Sequence, residues 1–346
     1  MKKEKRKSVT MEDIAKAVGV SKNAVSLALS NKPGISDTIR DQIQQTAQIL
    51  GYRNTTDRAE KKGCLVVLVP EYIRSDGAFY SDIFWAVEHE SRKQGFFTLT
   101  SGLSAAMEKE LILPKETETL KVLGYLAIGI IRKEYLEMLH STGKQVICVD
   151  ICCNSPLLSS VTADNLYGGF LATDYLIRNG HKRIGFVGPI FNAPSVFERW
   201  CGYQRAMMMK SMEIPENCNI LGKRNGFELL DNFDILEKYL ADVKDMPTAW
   251  FCAGDMIAIS MLKLLKSRGY RIPEDISIIS FDDLKVAEMV SPALTTIHVD
   301  RSVMSKQSVH QLLNQIFSSQ PVQPVHISIP CYLVERQSVA PLSDAD

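Results

Sequence analysis

No apolar run in this 346-residue chain approaches the roughly 20 residues that a membrane span requires. The basic start, "MKKEKRKSVT", leads into no apolar segment of the kind a secretory signal carries, so a cytoplasmic protein is expected. None of the eight cysteines, at 64, 148, 152, 153, 201, 218, 252 and 331, forms a C-x-x-C pair or a Cys/His set with zinc spacing. Several lie in apolar runs such as "QVICVDICC", so reduced, buried thiols are expected; only the adjacent Cys152 and Cys153 leave a redox switch open. The G-x-G-x-x-G dinucleotide fingerprint, the phosphate loop ending in G-K-S/T and the G-x-S-x-G nucleophile elbow are all missing. "GFVGPIFN" follows a strand-like run without supplying the glycine spacing a dehydrogenase needs. His181, in "NGHKRIGFVG", stands alone at a helix-to-strand turn and reads as structural. With no catalytic constellation, metal cluster or cofactor motif, a binding protein is expected rather than an enzyme.

What is present is ordinary globular material, 45% hydrophobic and 23% charged, enough for a large core in two or three domains. The net charge of zero hides an asymmetry: residues 1–62 hold thirteen Lys/Arg against seven Asp/Glu, a balance of +6. A basic head on an acidic body suggests that the head alone meets a polyanion. Thr10 and Asp13 bracket a capping box before "MEDIAKAV", and Gly19 supplies the permissive backbone that ends this helix. Ser21 is a good N-cap for a second helix. A third starts at Ser36 with Ile39, Ile43, Ala47 and Leu50 at helical spacing. Three short helices with a tight turn make a helix-turn-helix. If Val25, Ala28 and Leu29 face inward, Lys22, Asn23, Ser26 and Leu27 point out at the end that enters a major groove. Asn can bridge an adenine edge, Lys can reach guanine or phosphate, and Leu27 can touch a thymine methyl. A protein-docking bundle is the alternative for such a head.

From Gly63 on, short β-branched runs alternate with amphipathic helices. "CLVVLV", "FFTLT", "YLAIGI" and "VICVD" form one set; "RIGFVG", "TAWFCA" and "ISIISF" form a second. Continuous apolar strands between helices imply parallel sheets covered on both faces. Two such sets, split near residue 162, predict two doubly wound lobes with a ligand crevice at the carboxyl ends of the strands.

The segment "SVTMEDIAKAVGVSKNAVSLALSNKPGISDTIRDQIQQTAQILGYR" resembles the DNA-binding head of the lactose-repressor (LacI) family, without a gap from Thr10 to Arg53. The body is similar to the same family in "ADNLYGGFLATDYLIRNGHKRIGFVG", in "ERWCGYQRAM" and in "SRGYRIPEDISIISFDDLKVAEMVSPALTTI". "LVERQS" looks like its last strand. The resemblance implies a small all-α helix-turn-helix head, residues 1–53, and an α/β periplasmic-binding-protein-like body of two doubly wound parallel-sheet lobes, residues 64–340. Lobe 1 is expected at about 64–162 and 291–320, and lobe 2 at about 163–290 and 321–340. It also implies DNA contacts from Thr10, Ser21, Lys22, Asn23, Ser26, Leu27, Asn31, Arg53 and Arg58, and an effector pocket from Phe79, Tyr80, Asp150, Arg199, Asp255 and Asp282. Arg199 and Asp282 would grip ligand hydroxyls by charge-assisted hydrogen bonds, and Phe79 and Tyr80 would offer aromatic faces. The family usually reads A-N-D where this chain has Ala253-Gly254-Asp255. Losing that amide implies a larger ligand, or a contact supplied by another residue; Asp255 keeps the family pattern, either to contact ligand or to support the strand end.

Between head and body, residues 54–63, the family carries a hinge helix whose Leu wedges into the minor groove. "RNTTDRAEKKGC" has neither the Pro nor the Leu, leaving Arg53, Arg58, Lys61 and Lys62 to hold phosphates. The reading is a homodimeric, cytoplasmic regulator, expected to repress, on an inverted-repeat DNA site, switched by a small-molecule effector. A sugar or sugar derivative is the expected effector, with a nucleobase or phosphorylated metabolite next. A sensor that has lost its operator and acts through a protein partner is the rival.

Overall fold

Thr10 accepts the Asp13 N–H at 3.3 Å while the Asp13 carboxylate accepts the Thr10 N–H at 2.7 Å, and this reciprocal cap starts α1 (Met11–Val18). The computed structural model describes residues 9–29, 34–50, 63–75, 79–151, 154–224 and 230–342. The chain divides into two units, Met1–Gly63 and Cys64–Asp346. In the first, Gly19 ends α1 at a left-handed φ of 75°. Ser21 Oγ then accepts the Ala24 N–H at 3.2 Å and opens α2 (Lys22–Leu29). Ser36 does the same for α3 (Asp37–Leu50), accepting from Ile39 at 3.4 Å. Ile14, Ala15, Val25, Ala28, Ile43 and Ala47 form the head's core. Leu50, expected to extend the stripe, is exposed.

The second unit begins with β1 (Cys64–Pro70), α4 (Phe79–Lys93), β2 (Phe97–Leu103), α5 (Ala105–Glu110) and α6 (Glu116–Thr119). β3 (Val122–Ile128), α7 (Lys133–Ser141), β4 (Gln145–Val149), β5 (Ser159–Ala163) and α8 (Asn165–Arg178) follow. Then come β6 (Ile184–Val187), α9 (Pro194–Met209), β7 (Asn219–Ile220), α10 (Phe233–Ala241), β8 (Ala249–Cys252) and α11 (Asp255–Ser267). The chain closes with β9 (Ser277–Asp282), α12 (Lys285–Met289), β10 (Thr295–His298), α13 (Arg301–Phe317), β11 (His326–Ile329) and β12 (Tyr332–Val334).

Two six-stranded sheets result, ordered β11-β5-β4-β3-β1-β2 and β12-β10-β9-β8-β6-β7. Among the described residues every pairing is parallel except β10 with β12. The apolar runs are explained by two-sided burial: in β1, Leu65 and Val67 join one core cluster while Val66 and Leu68 join another.

The lobe boundaries differ from the expected ones. Residues 295–298 pair with β9 in the second sheet, although 291–320 was assigned to lobe 1. Residues 326–329 pair with β5 in the first sheet, although 321–340 was assigned to lobe 2. The chain therefore crosses between lobes after β5, between β10 and α13, and between β11 and β12. The reason is register with distant strands, which local pattern does not carry. β5, "SSVTA", escaped the sequence reading because its serines look solvated. Ser159 and Ser160 are instead buried, Ser159 Oγ accepting from Gln315 and the Val325 N–H, and Ser160 pairing with His326.

In lobe 2 helices α8 and α9 cross in close contact because neither has a side chain at the crossing. A Cβ on Gly202 would lie 2.2 Å from the Leu166 carbonyl oxygen, and one on Gly169 2.3 Å from that of Arg199. Both obstacles are backbone, so Gly202→Ala must push the helices apart. A loss of about 1–3 kcal/mol in urea unfolding of the body is expected, the usual range for overpacking.

Candidate functional site

Both sheets have the order of a doubly wound fold whose direction reverses beside the first strand, between β1 and β3 in lobe 1 and between β6 and β8 in lobe 2. Ligands lie beyond the carboxyl strand ends at such points. In lobe 1 the turn after β1 is tied to the end of β3: Ile130 donates its N–H to the Tyr72 hydroxyl at 2.7 Å. In lobe 2 Arg199, on the helix after β6, donates through Nη1 to the carbonyl of Ala253, which follows β8. One guanidinium thus spans the reversal.

Arg199 is only 5% exposed. Its Nε donates to Asn165 Oδ1 at 3.0 Å, Nη1 stands 3.1 Å from Asp282 Oδ1, and its plane lies 3.8 Å over the Phe281 ring. Asp282 ends β9 with φ at 103°. Burial pushes its carboxyl up, against the pull of Arg199 and Arg301. Gly254 lies beside this pair: a Cβ there would sit 3.2 Å from Asp282 Oδ2. The glycine that departs from the family pattern therefore lets the Asp282 carboxylate pack where a side chain at 254 would crowd it.

Other expected pocket residues divide differently. Asp150 is buried at the end of β4 with a left-handed φ of 62°. Tyr80 is half-buried, and its ring meets Phe79 edge-on at 5.2 Å. Phe79 itself is buried in the core, so the expected ligand-facing ring is chiefly a packing residue. Asp255 is a correction: it is wholly buried, and its carboxylate is consumed by the Ser280 and Thr296 hydroxyls and the Leu284 N–H. It locks the ends of β9 and β10 rather than facing a ligand. Burial, then the nearby Asp282, raises its pKa to about 7. A carboxyl raised in the fold from 3.8 binds its proton more tightly there than when unfolded, so the stability it adds is lost as pH rises from about 4 through about 7. The melting temperature of the wild type should therefore fall relative to Asp255→Asn between pH 5 and 8.

Sequence reasoning missed Asn165 and Arg301. Asn165 is buried and holds both Arg199 and Glu198, donating to the latter at 3.1 Å. Arg301 opens α13 directly after a crossover and donates to Asp82 Oδ2 at 3.1 Å. No pattern in "HVDRSV" announces this role, which depends on the end of β9 meeting the first turn of α4. His181 is structural as expected, buried between the Thr248 hydroxyl and the Ala340 carbonyl, each at 3.1 Å. Among the described residues no His/Cys/Asp/Glu group could hold a metal, and no helix is long and apolar enough to cross a membrane.

On the head, Lys22 and Asn23 are exposed at the start of α2, and Ser21 is exposed before it. Val25 and Ala28 are buried opposite, with Leu29 packed against the same core. Ser26 and Leu27 are half-buried rather than fully outward. The Leu27 carbonyl accepts from Arg40 at 3.4 Å, and a Cβ on Gly34 would touch the Leu27 side chain at 3.3 Å, so a neighbouring element partly covers it. The Thr10 hydroxyl is engaged in its cap. Asn31, Arg53, Arg58, Lys61, Lys62, Cys152, Cys153 and the 54–62 stretch lie outside the described residues.

A three-helix head and a two-lobed body with a charged pair at the lobe-2 strand reversal define a regulator that joins nucleic-acid recognition to ligand sensing. Residues 10–54 match the bacterial regulatory proteins of the lacI family, and residues 173–339 match the periplasmic binding protein-like domain. The chain belongs to the LacI family of transcriptional regulators. It is 28% identical over 338 residues to the HTH-type transcriptional repressor PurR of Vibrio atlanticus (strain LGP32), covering 96% of this chain and 99% of that one. Among solved structures it is similar to a LacI-family regulator from Enterococcus faecium with bound ribose, with 26% identity and a TM-score of 0.68 over 81% of this chain and 100% of that one. A CelR–cellobiose complex shares the fold, with a TM-score of 0.70 at 24% identity over 95% of this chain and 99% of that one.

Proposed function

We propose that this protein is a homodimeric, cytoplasmic transcriptional repressor without enzymatic activity, whose α2 helices read an inverted-repeat DNA site. Its effector is a sugar or sugar derivative held between the lobes. The observation that carries the effector reading is the Arg199–Asp282 pair at the lobe-2 reversal, with the Asp282 carboxylate lying against the Cα of Gly254. A guanidinium and a carboxylate this close present donors and acceptors together, which suits vicinal hydroxyls. Ribose in the Enterococcus faecium relative supports that chemistry. For DNA, one recognition helix reaches only a few base pairs, so two heads on a two-fold axis are required. Effector and DNA then share one coupling free energy, of about 1–3 kcal/mol in typical cases, and each alters the other's affinity equally.

Selection of bound sites from a random duplex pool, at two salt concentrations, tests the DNA half. An enriched inverted repeat supports the dimeric repressor; salt-sensitive background binding alone would overturn it and favour a sensor acting through a protein partner. Thermal-shift screening with monosaccharides, disaccharides, sugar phosphates and nucleobases tests the effector half. Stabilisation by a sugar that Asp282→Asn abolishes is expected. A nucleobase as sole hit would overturn the sugar assignment.

A further inference from the structure

The geometry points to Arg301 as a positioning residue that straps the two lobes together at the effector crevice, so that the Asp282 corner and the first turn of α4 move as one. Three observations carry it. Arg301 belongs by packing to lobe 1: it opens α13, and one turn later Ser305 donates to the Ile83 carbonyl of α4 at 3.1 Å. Its guanidinium nevertheless reaches lobe 2. Nη1 donates to the Asp282 carbonyl and Nη2 to that of Asp283 at 3.3 Å, both in the left-handed region with φ of 103° and 52°. The remaining edge returns to lobe 1, where Nε donates to Asp82 at 3.1 Å with the guanidinium 5.6 Å from the Phe79 ring. Its side chain is only 13% exposed, so water competes little for the bonds to the two lobe-2 carbonyls, while Asp82 at the far end is 59% exposed.

The chemistry follows from which atoms of Asp282 are used. Its carboxylate pairs with Arg199, and its carbonyl is held by Arg301. A ligand that draws the carboxylate from Arg199 turns residue 282 and with it the carbonyl, and the planar guanidinium carries that displacement to Asp82. Lysine cannot do this, because one ammonium does not span acceptors on both lobes in a fixed fork.

This inference rests on the crevice reading above, but its test needs neither ligand nor DNA, so a failed ligand screen leaves it to stand or fall separately. Hydrogen exchange of the full-length protein is measured for wild type, Arg301→Gln, Asp82→Asn and the double variant. Arg301→Gln should speed exchange in both 79–84 and 282–288 by at least about threefold, the scale of one coupled contact. The decisive readout is Asp82→Asn. It removes a lobe-1 carboxylate and should still loosen 282–288 in lobe 2, with no added effect when Arg301 is already Gln. If Asp82→Asn leaves 282–288 unchanged, or the two effects simply add, Arg301 is a local cap and the strap is wrong. Should Arg301→Gln fail to fold, the same cycle in Arg301→Lys decides on the same criteria.

Discussion

Arg199→Ala should lower the stability of the body by about 3–5 kcal/mol, because it leaves Asp282 buried without its partner. The estimate needs no large discount for solvent, since the two side chains are 6% and 16% exposed. The loss also includes the bonds to Asn165 and to the Ala253 carbonyl, and the stacking on Phe281. Urea unfolding of the full-length protein followed by tryptophan fluorescence measures it, since Trp200 is adjacent in sequence and buried. Adding Asp282→Asn to Arg199→Ala should recover a large part of the loss by removing the orphaned charge. A loss below about 1 kcal/mol for the single variant would place the pair in the class of solvent-screened surface bridges. Effector binding should vanish in both variants, which separates the ligand role from the stability role.

Asn23→Ala should weaken binding to the selected DNA site by about 1–3 kcal/mol per head and relax specificity at one base pair in each half-site. Lys22→Ala should instead weaken all sequences more evenly and flatten the salt dependence by about one counterion per head. Both side chains are exposed at the start of α2, while Val25 and Ala28 hold the helix from behind, so neither change should unfold the head. Fluorescence anisotropy against the selected duplex and a scrambled one, at several salt concentrations, distinguishes the two patterns. Equal losses on both duplexes for Asn23→Ala would mean that Asn23 touches backbone and that the base reader is elsewhere on α2.

The three helices of the head were legible because their signals are local. A cap, a left-handed glycine and a three-residue turn are decided within one or two helical turns, and Thr10, Asp13, Gly19 and Ser21 take the roles their order predicts. The partial cover over Leu27 was not legible, since it depends on Gly34, before α3, and Arg40, within it, returning to the residue. In the body, Arg199 and Asp282 were found through motif resemblance, and the structure brings them to 3.1 Å. Asp255 shows the limit of that route. Its neighbour Gly254 and its place after a strand resemble a ligand position, yet Ser280 and Thr296, from two other strands, consume its carboxylate.

The sequence by itself determined the two-part organisation and the alternation that makes doubly wound sheets. These follow from short-range periodicity and helix caps, which adjacent residues carry; Arg199 and Asp282 came from motif resemblance, and their pairing from the fold. Only the tertiary structure decided that residues 295–298 and 326–329 exchange lobes, that Asp255 is consumed, and that Arg301 reaches both walls. Each of these depends on parallel strands far apart in the chain coming into register. That register sets which strand ends meet, and no local pattern encodes it.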